Sequence, residues 1–183
     1  MRLFGIAITI ILTFNTISYG QSNSYNEDIV SYLEVNGTET QYAQAVDQLF
    51  VMLSKQYAGN NISNDVWRQL ETKYKTKALK SIKLLLVTPY RTTFSHDNIK
   101  RMLAFYNTEA GKQMMTDPTK LTKAQKSVAG DFYASDAGAK LLENKTSLEQ
   151  RVAEVSEIWS RDLYRMVKKI YNKWAILLDS KLC

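Results

Sequence analysis

The sequence predicts an all-α fold, a single helical bundle of about six to eight helices, on three observations. Apolar residues recur at three-four spacing almost throughout the chain beyond residue 26, as helices with one buried face require. No stretch alternates apolar and polar residues long enough to make a strand, and only Pro89 and Pro118 punctuate the pattern. A phrase also occurs twice, FYNTEAGKQMMT at 105–116 and FYASDAGAKLLE at 132–143, offset by 27 residues. Its frame is Phe-Tyr, any residue, Thr or Ser, an acid, Ala-Gly, two residues, then two large apolar residues. It predicts one helix-corner-helix unit built twice.

The N-terminus has the layout of a secretory signal peptide. Met1-Arg2 is a short positive region, Leu3 to Leu12 an apolar run, and Ser18-Tyr19-Gly20 puts small residues at both recognition positions of a cleavage site. The apolar run is well short of the roughly 20 residues a membrane span needs. The expected organisation is therefore a signal peptide over 1–20 and a single all-helical domain over 21–183, exported to the periplasm or beyond the cell, with no transmembrane span after cleavage. Cys183 is the only cysteine, so no internal disulfide can form; the core must come from packing, and a chain of this length can supply it.

The first helix is expected from about Glu27 to Val35, ending at Asn36-Gly37, a pair suited to a left-handed C-terminal cap. Thr38 should cap the second helix and Gln41 complete a capping box, with Tyr42, Val46, Leu49, Phe50, Leu53 and Tyr57 on one face. Gly59-Asn60-Asn61 ends it. Ser63 or Asn64 opens the third helix, with Trp67, Leu70, Tyr74, Ala78, Ile82 and Leu85 inward and Lys73, Lys77, Lys80 and Lys83 outward. Thr88-Pro89 should interrupt or bend it, because the proline ring removes a donor and clashes one turn back.

Ser95 starts the first copy of the repeated phrase, with Ile99, Met102, Leu103 and Tyr106 as its apolar stripe. Asn107 breaks the helix, Thr108 caps the next one, and Glu109 stands at its positive end. Asp117-Pro118 stops that piece. In the second copy a helix from about Leu121 ends at Phe132-Tyr133, Ser135 caps, Asp136 comes first, and Leu141-Leu142 close the corner. The signature positions are thus Phe105, Tyr106, Thr108 and Gly111, matched by Phe132, Tyr133, Ser135 and Gly138. A mid-helix glycine costs roughly 0.8–1 kcal/mol against alanine, so both glycines imply close approach of another helix or of an aromatic ring.

From about Ser147 to Leu178 the stripe Leu148, Val152, Val155, Trp159, Leu163, Met166, Ile170, Trp174, Leu177 is unbroken. Such a helix spans on the order of 45–50 Å, more than the width of a compact domain of this size. It should kink, or project as an arm whose apolar end (Ile170, Trp174, Leu177) wants a partner. A homodimer through this C-terminal helix is the simplest.

Two segments together resemble a known family. DIVSYLEVNGTETQYAQAVDQL resembles its opening helices around a leucine-x-valine-x-glycine corner. PYRTTFSHDNIKRMLAFYNTEAGKQM resembles its core, a Ser/Thr-capped helix ending in Phe-Tyr, a Ser/Thr corner, then Gly and a polar pair. The family is domain-of-unknown-function family two-thousand-and-fifty-nine, exported all-helical bacterial proteins, and the resemblance covers most of residues 27–165. The family often carries Pro after the corner Ser/Thr, where Glu109 and Asp136 stand here. The resemblance implies a helical fold, export and no established activity, and it brings no catalytic residues.

The chemistry in the residues is sparse. The formal charge of +6 conceals a net of −4 over 21–63 against +5 over 64–100, segments that can pack beside one another. His96 is the only histidine and reads as an exposed first-turn residue, since Asp97 beside it on a helix faces elsewhere. One His and one terminal Cys nearly exclude a transition-metal site of the usual composition. No phosphate loop, dinucleotide fingerprint or nucleophile elbow occurs, so no catalytic, cofactor or metal residue is assigned and no nucleic-acid partner is expected. The expected function is a non-catalytic binding or protein-interaction module for an unknown protein or small ligand, using a groove beside the two Phe-Tyr corners and the long helix. Two alternatives are a salt-sensitive binder of anionic envelope material through Lys73, Lys77, Lys80 and Lys83, and a carboxylate hydrolase if Glu109 and Asp136 converge.

Overall fold

Most of the helices begin where a small polar side chain or a turn can hold the first free amides. The computed structural model describes residues 18–60 and 62–179, with side chains described over 24–59 and 62–172. The apolar leader, Trp174, Leu177 and Cys183 therefore lie outside the described side chains. Eight α-helices occur among the described residues and no strand does. They are α1 (Ser18–Val35), α2 (Thr38–Gln56), α3 (Asn64–Thr93), α4 (His96–Tyr106), α5 (Glu109–Thr116), α6 (Lys123–Ala134), α7 (Asp136–Glu143) and α8 (Lys145–Asp179), with short 3-10 turns at Ala58–Asn60 and Pro118–Lys120.

Ser63, Ser95, Thr108, Thr122 and Ser135 each accept a hydrogen bond from the backbone amide three residues on. Ser95 with Asn98 and Thr122 with Gln125 form full capping boxes. The expected box at Thr38 does not form. Gly37 holds the cap position with φ 83°, and the Asn36 side chain accepts from the Thr38 amide at 3.1 Å. The link between α1 and α2 is too short for Thr38 to stay outside the helix, so the asparagine two residues earlier takes the role.

Helix α1 starts at Ser18, nine residues before Glu27. Extending an already packed helix costs little per residue, and the extension is anchored by Tyr25, whose ring stacks on His96 at 4.6 Å. Helix α3 runs through Pro89 to Thr93 without interruption. The proline forgoes one amide bond in the penultimate turn; the Thr92 and Thr93 hydroxyls donate to its carbonyl at 3.1 and 2.7 Å.

Helix α3 packs against α1, α2 and α8; α1 also lies on α4, and α4 touches α5 and α7. Ile29, Leu33, Val46, Leu53, Ile82, Leu86, Ile99 and Met102 are fully enclosed in one hydrophobic cluster. Leu86, not Leu85, is the inward residue of that α3 turn. Tyr32 sits at its centre with its ring edge-on to Tyr90 and Tyr106. Burial pushes the phenols of Tyr32, Tyr90 and Tyr106 above their ordinary pKa, so all three remain neutral hydrogen-bonding groups.

Helix α8 is continuous over 35 residues, about 52 Å at the standard rise. It is no free arm as far as residue 171. Its inward row is Trp159, Leu163, Val167 and Tyr171, and Tyr171 stacks on Tyr57 at 3.7 Å and Trp67 at 5.8 Å. The i+4 ridge, not the alternating three-four stripe, follows the neighbouring helices, which is why Val167 and Tyr171 replace Ile170 as buried residues.

Candidate functional site

Helix α3 has a compensated face and an uncompensated one. Towards α1 and α2, the Lys83 ammonium donates to Glu34 at 2.5 Å and Glu39 at 2.7 Å, and Lys75 pairs with Asp47. Lys83 is thus an inward bridge between α1 and α2, not an outward lysine. Burial disfavours its charge, but the two carboxylates outweigh that and raise its pKa. His96 Nε2, at the start of α4, meets Asp28 of α1 at 2.7 Å, so it is packed where the sequence had it exposed. Asp97 pairs instead with Arg101, one turn on. These contacts join the acidic 21–63 segment to the basic one after it.

Beside this network lies an open acidic cleft of about 680 Å³ lined by Glu34, Glu39, Thr40, Ala43, Gln44 and Asp47. Burial, then the neighbouring Asp47 carboxylate, raises the pKa of Glu71, with Lys75 pulling the other way. Lys75 and Lys83 occupy the same cluster, so its chemistry is that of an ion-pair network holding three helices together.

On its other side, α3 meets α8 along a seam that closes at the bottom and stays open at the lip. The Trp159 indole donates to the Ala78 carbonyl at 3.2 Å in the floor. A cleft of about 270 Å³ follows, lined by Lys77, Ala78, Ser81, Asp162, Leu163 and Met166 with Trp159. One turn further along each helix stand Leu85 and Ile158; Leu84, Leu85 and Ile158 are 57, 44 and 52% exposed. Arg151 reaches Thr92 and Thr93 at 3.2 and 3.3 Å and closes the far end. Lys77 stands on the outer wall, Lys73 and Lys80 fall on the same exposed helix face about a turn to either side, and none of the three pairs with a carboxylate among the described residues. The Lys73 and Lys77 amines lie only near the Tyr74 ring.

The eight signature residues form two corners with the same pattern of hydrogen bonds. The Phe105 carbonyl accepts from both the amide and the hydroxyl of Thr108, at 2.9 and 2.7 Å. The same hydroxyl accepts from Gly111 at 3.0 Å. The Phe132, Ser135 and Gly138 contacts repeat this at 3.0, 2.6 and 3.3 Å. A methyl group on Gly111 would meet Tyr106 Cα at 2.6 Å and the Phe105 carbonyl; one on Gly138 would meet Tyr133 Cα at 2.5 Å and the Phe132 carbonyl. The close approach is that of the preceding helix's last turn, not an aromatic ring. Phe105 and Phe132 stack in parallel at 4.0 Å and are buried. These rings hold the corners together and line none of the clefts described above.

Glu109 and Asp136 do not form a catalytic pair. Glu109 is on the surface beside Lys112. Asp136 accepts from the buried Asn98 side chain at 2.7 Å, and that bond, ahead of Lys140 and Arg101 nearby, holds its carboxyl below the usual range. An acid so stabilised does not carry a proton at neutral pH. Asn98, Asp28 and Ile158 are the residues that sequence reasoning passed over. Only Leu84-Leu85 carried a signal, since two adjacent leucines cannot both face one core from a helix.

Fold and site together define an all-helical protein with two stacked corners, an internal ion-pair network and one open apolar seam. Residues 80–130 match the model of a family described as an uncharacterized protein conserved in bacteria (DUF2059). The match takes in the second half of α3, the first corner and most of α6, and ends just before Phe132. No curated protein and no solved structure matches the chain. Among the described residues no helix is long and apolar enough to cross a membrane, and no group of three His, Cys, Asp or Glu side chains could hold a metal ion.

Proposed function

We propose that this protein is an exported helical interaction module without chemistry of its own, and that it works through the α3–α8 seam. The observation that carries this reading is the apolar cleft between α3 and α8, with Leu84, Leu85 and Ile158 exposed about one turn beyond its lining residues. Exposed apolar rows on ordered elements mark interaction sites when they are contiguous with a recessed floor. The Phe-Tyr corners are the frame of the module, since their rings are consumed by packing.

Export is supported by the layout of residues 1–20. Cleavage before Gln21 would leave intact the first described anchor, Tyr25, whose hydroxyl donates to the Phe94 carbonyl. A photo-crosslinking residue at position 85 or 158, introduced in the native host, tests the reading. Adducts at both positions and none from exposed Leu142 on α7 are expected. Adducts from Leu142 alone, or an exported fraction free of the protein, would overturn it.

A further inference from the structure

The seam has a shape and a charge, and together they specify an occupant more narrowly than an apolar patch would. Its floor is recessed: Trp159 and Leu163 are 6 and 5% exposed. A flat surface such as a bilayer would touch the lips and leave that floor empty. A rod with side chains on one face reaches it. The cleft takes in Lys77 to Ser81 of α3; from there the helix continues past Leu85 to Thr92, about 22 Å from Lys77, and Lys73 lies one turn before Lys77. Arg151 bounds the seam at the far end.

Charge gives the sign. The lysines that α3 turns towards α1 and α2 meet carboxylates, Lys75 with Asp47 and Lys83 with Glu34 and Glu39. Lys77 in the seam, and Lys73 and Lys80 on the exposed face beside it, do not. Asp162 on the α8 lip is already opposed by Arg165 at 3.8 Å. The exposed face of α3 beside the seam is therefore a line of positive charge at three- and four-residue spacing, the same spacing a facing helix would present. The chain's own acidic strip, Glu34, Glu39 and Asp47, is already taken by Lys75 and Lys83.

We propose that the seam binds an acidic amphipathic helix of a partner protein, with its apolar side chains between Leu85 and Ile158 and its carboxylates against Lys73, Lys77 and Lys80. This is helix-in-groove recognition, and it rests on the reading of the seam as the working surface.

The test uses the full-length chain and three synthetic peptides of about five helical turns. All carry leucines at i, i+3, i+4 and i+7, with a polar face of Glu, Gln or Lys. Fluorescence anisotropy should rank Glu above Gln above Lys, with at least about a tenfold gap between the extremes at low ionic strength. Raising the salt should narrow the gap. A Lys77→Glu/Lys80→Glu protein should reverse the order, and Leu85→Asp should weaken the Glu peptide about tenfold or more. Both changes are on exposed positions, and unchanged circular dichroism checks their fold.

Equal affinity for the Glu and Gln peptides, still lost in Leu85→Asp, would overturn the acidic partner while leaving the seam as an interaction surface. Binding indifferent to Leu85→Asp would remove the seam itself, and with it the proposed function. Wild-type binding to phosphatidylglycerol vesicles with no peptide preference would assign the lysines to a lipid surface and overturn the proposal. So would a dimer that Leu85→Asp dissociates.

Discussion

The two corners share a backbone and differ in what surrounds them. In both, a Phe carbonyl takes two donors from a Ser or Thr, whose hydroxyl takes the amide of a glycine. The first corner sinks its tyrosine, Tyr106, into the core, while its acid, Glu109, stays on the surface beside Lys112. The second leaves Tyr133 half-buried against the core, but ties its acid to the buried Asn98 at the N-terminus of α4. The local frame sets the turn. The neighbours decide which residue of the frame carries a long-range contact.

The shared part of the comparison predicts the largest effects. Alanine normally improves a helix interior by roughly 0.8–1 kcal/mol over glycine. At Gly111 and Gly138 the added methyl meets backbone that belongs to the hydrogen-bonded corner. Gly111→Ala and Gly138→Ala should therefore each destabilise by about 2–3 kcal/mol, roughly 4–12 °C in a thermal melt. An unchanged or raised melting temperature in either variant would show that corner to be looser than its twin.

The next effect belongs to the difference. Asn98 is enclosed, accepts from the amide and hydroxyl of Ser95, and donates to Asp136. Asn98→Ala should cost about 2 kcal/mol in a denaturant titration, because it strips a cap and an inter-helix bond together. The corresponding tie is missing from the first corner, so Glu109→Ala should cost no more than about 0.5 kcal/mol. A smaller effect separates the caps: Thr108→Ala and Ser135→Ala should each cost about 1 kcal/mol. A clear inequality between them would mean that the α4–α7 contact, and not the cap alone, supports the second corner.

What the sequence made legible was local. Ser63, Ser95, Thr108 and Ser135 were readable as caps because the bond they make ends three residues away. The stop at Asp117-Pro118 and the left-handed Gly37 follow from one or two residues. Thr38 misled because the capping pattern was present while the link was too short to use it. The site was less legible, for a physical reason. Whether a lysine on α3 is spent inside or left outside depends on where α1 and α2 place Glu34, Glu39 and Asp47. Lys83 and Lys77 look alike in the sequence and differ only in that. The same holds for His96, whose partner Asp28 lies 68 positions away, and for Leu85, which the three-four pattern put inward in place of Leu86.

The finest test of the comparison is the pH dependence of the Asp136 contact. Asn98 holds the Asp136 carboxyl below its ordinary pKa in the folded chain, so the folded form binds a proton there less readily than the unfolded one does. The stabilisation is therefore complete above the unfolded carboxylate pKa and fades as the pH falls through the lower folded value. The stability gap between wild type and Asp136→Asn should be constant near neutrality and close progressively in acid. In an Asn98→Ala background most of that pH dependence should vanish, because its first cause has been removed; Lys140 and Arg101 would leave a salt-sensitive remainder. A gap that closes equally in both backgrounds would assign the effect to the two cations. The link from the second corner to α4 would then be the charge of Arg101, and not the Asn98 hydrogen bond.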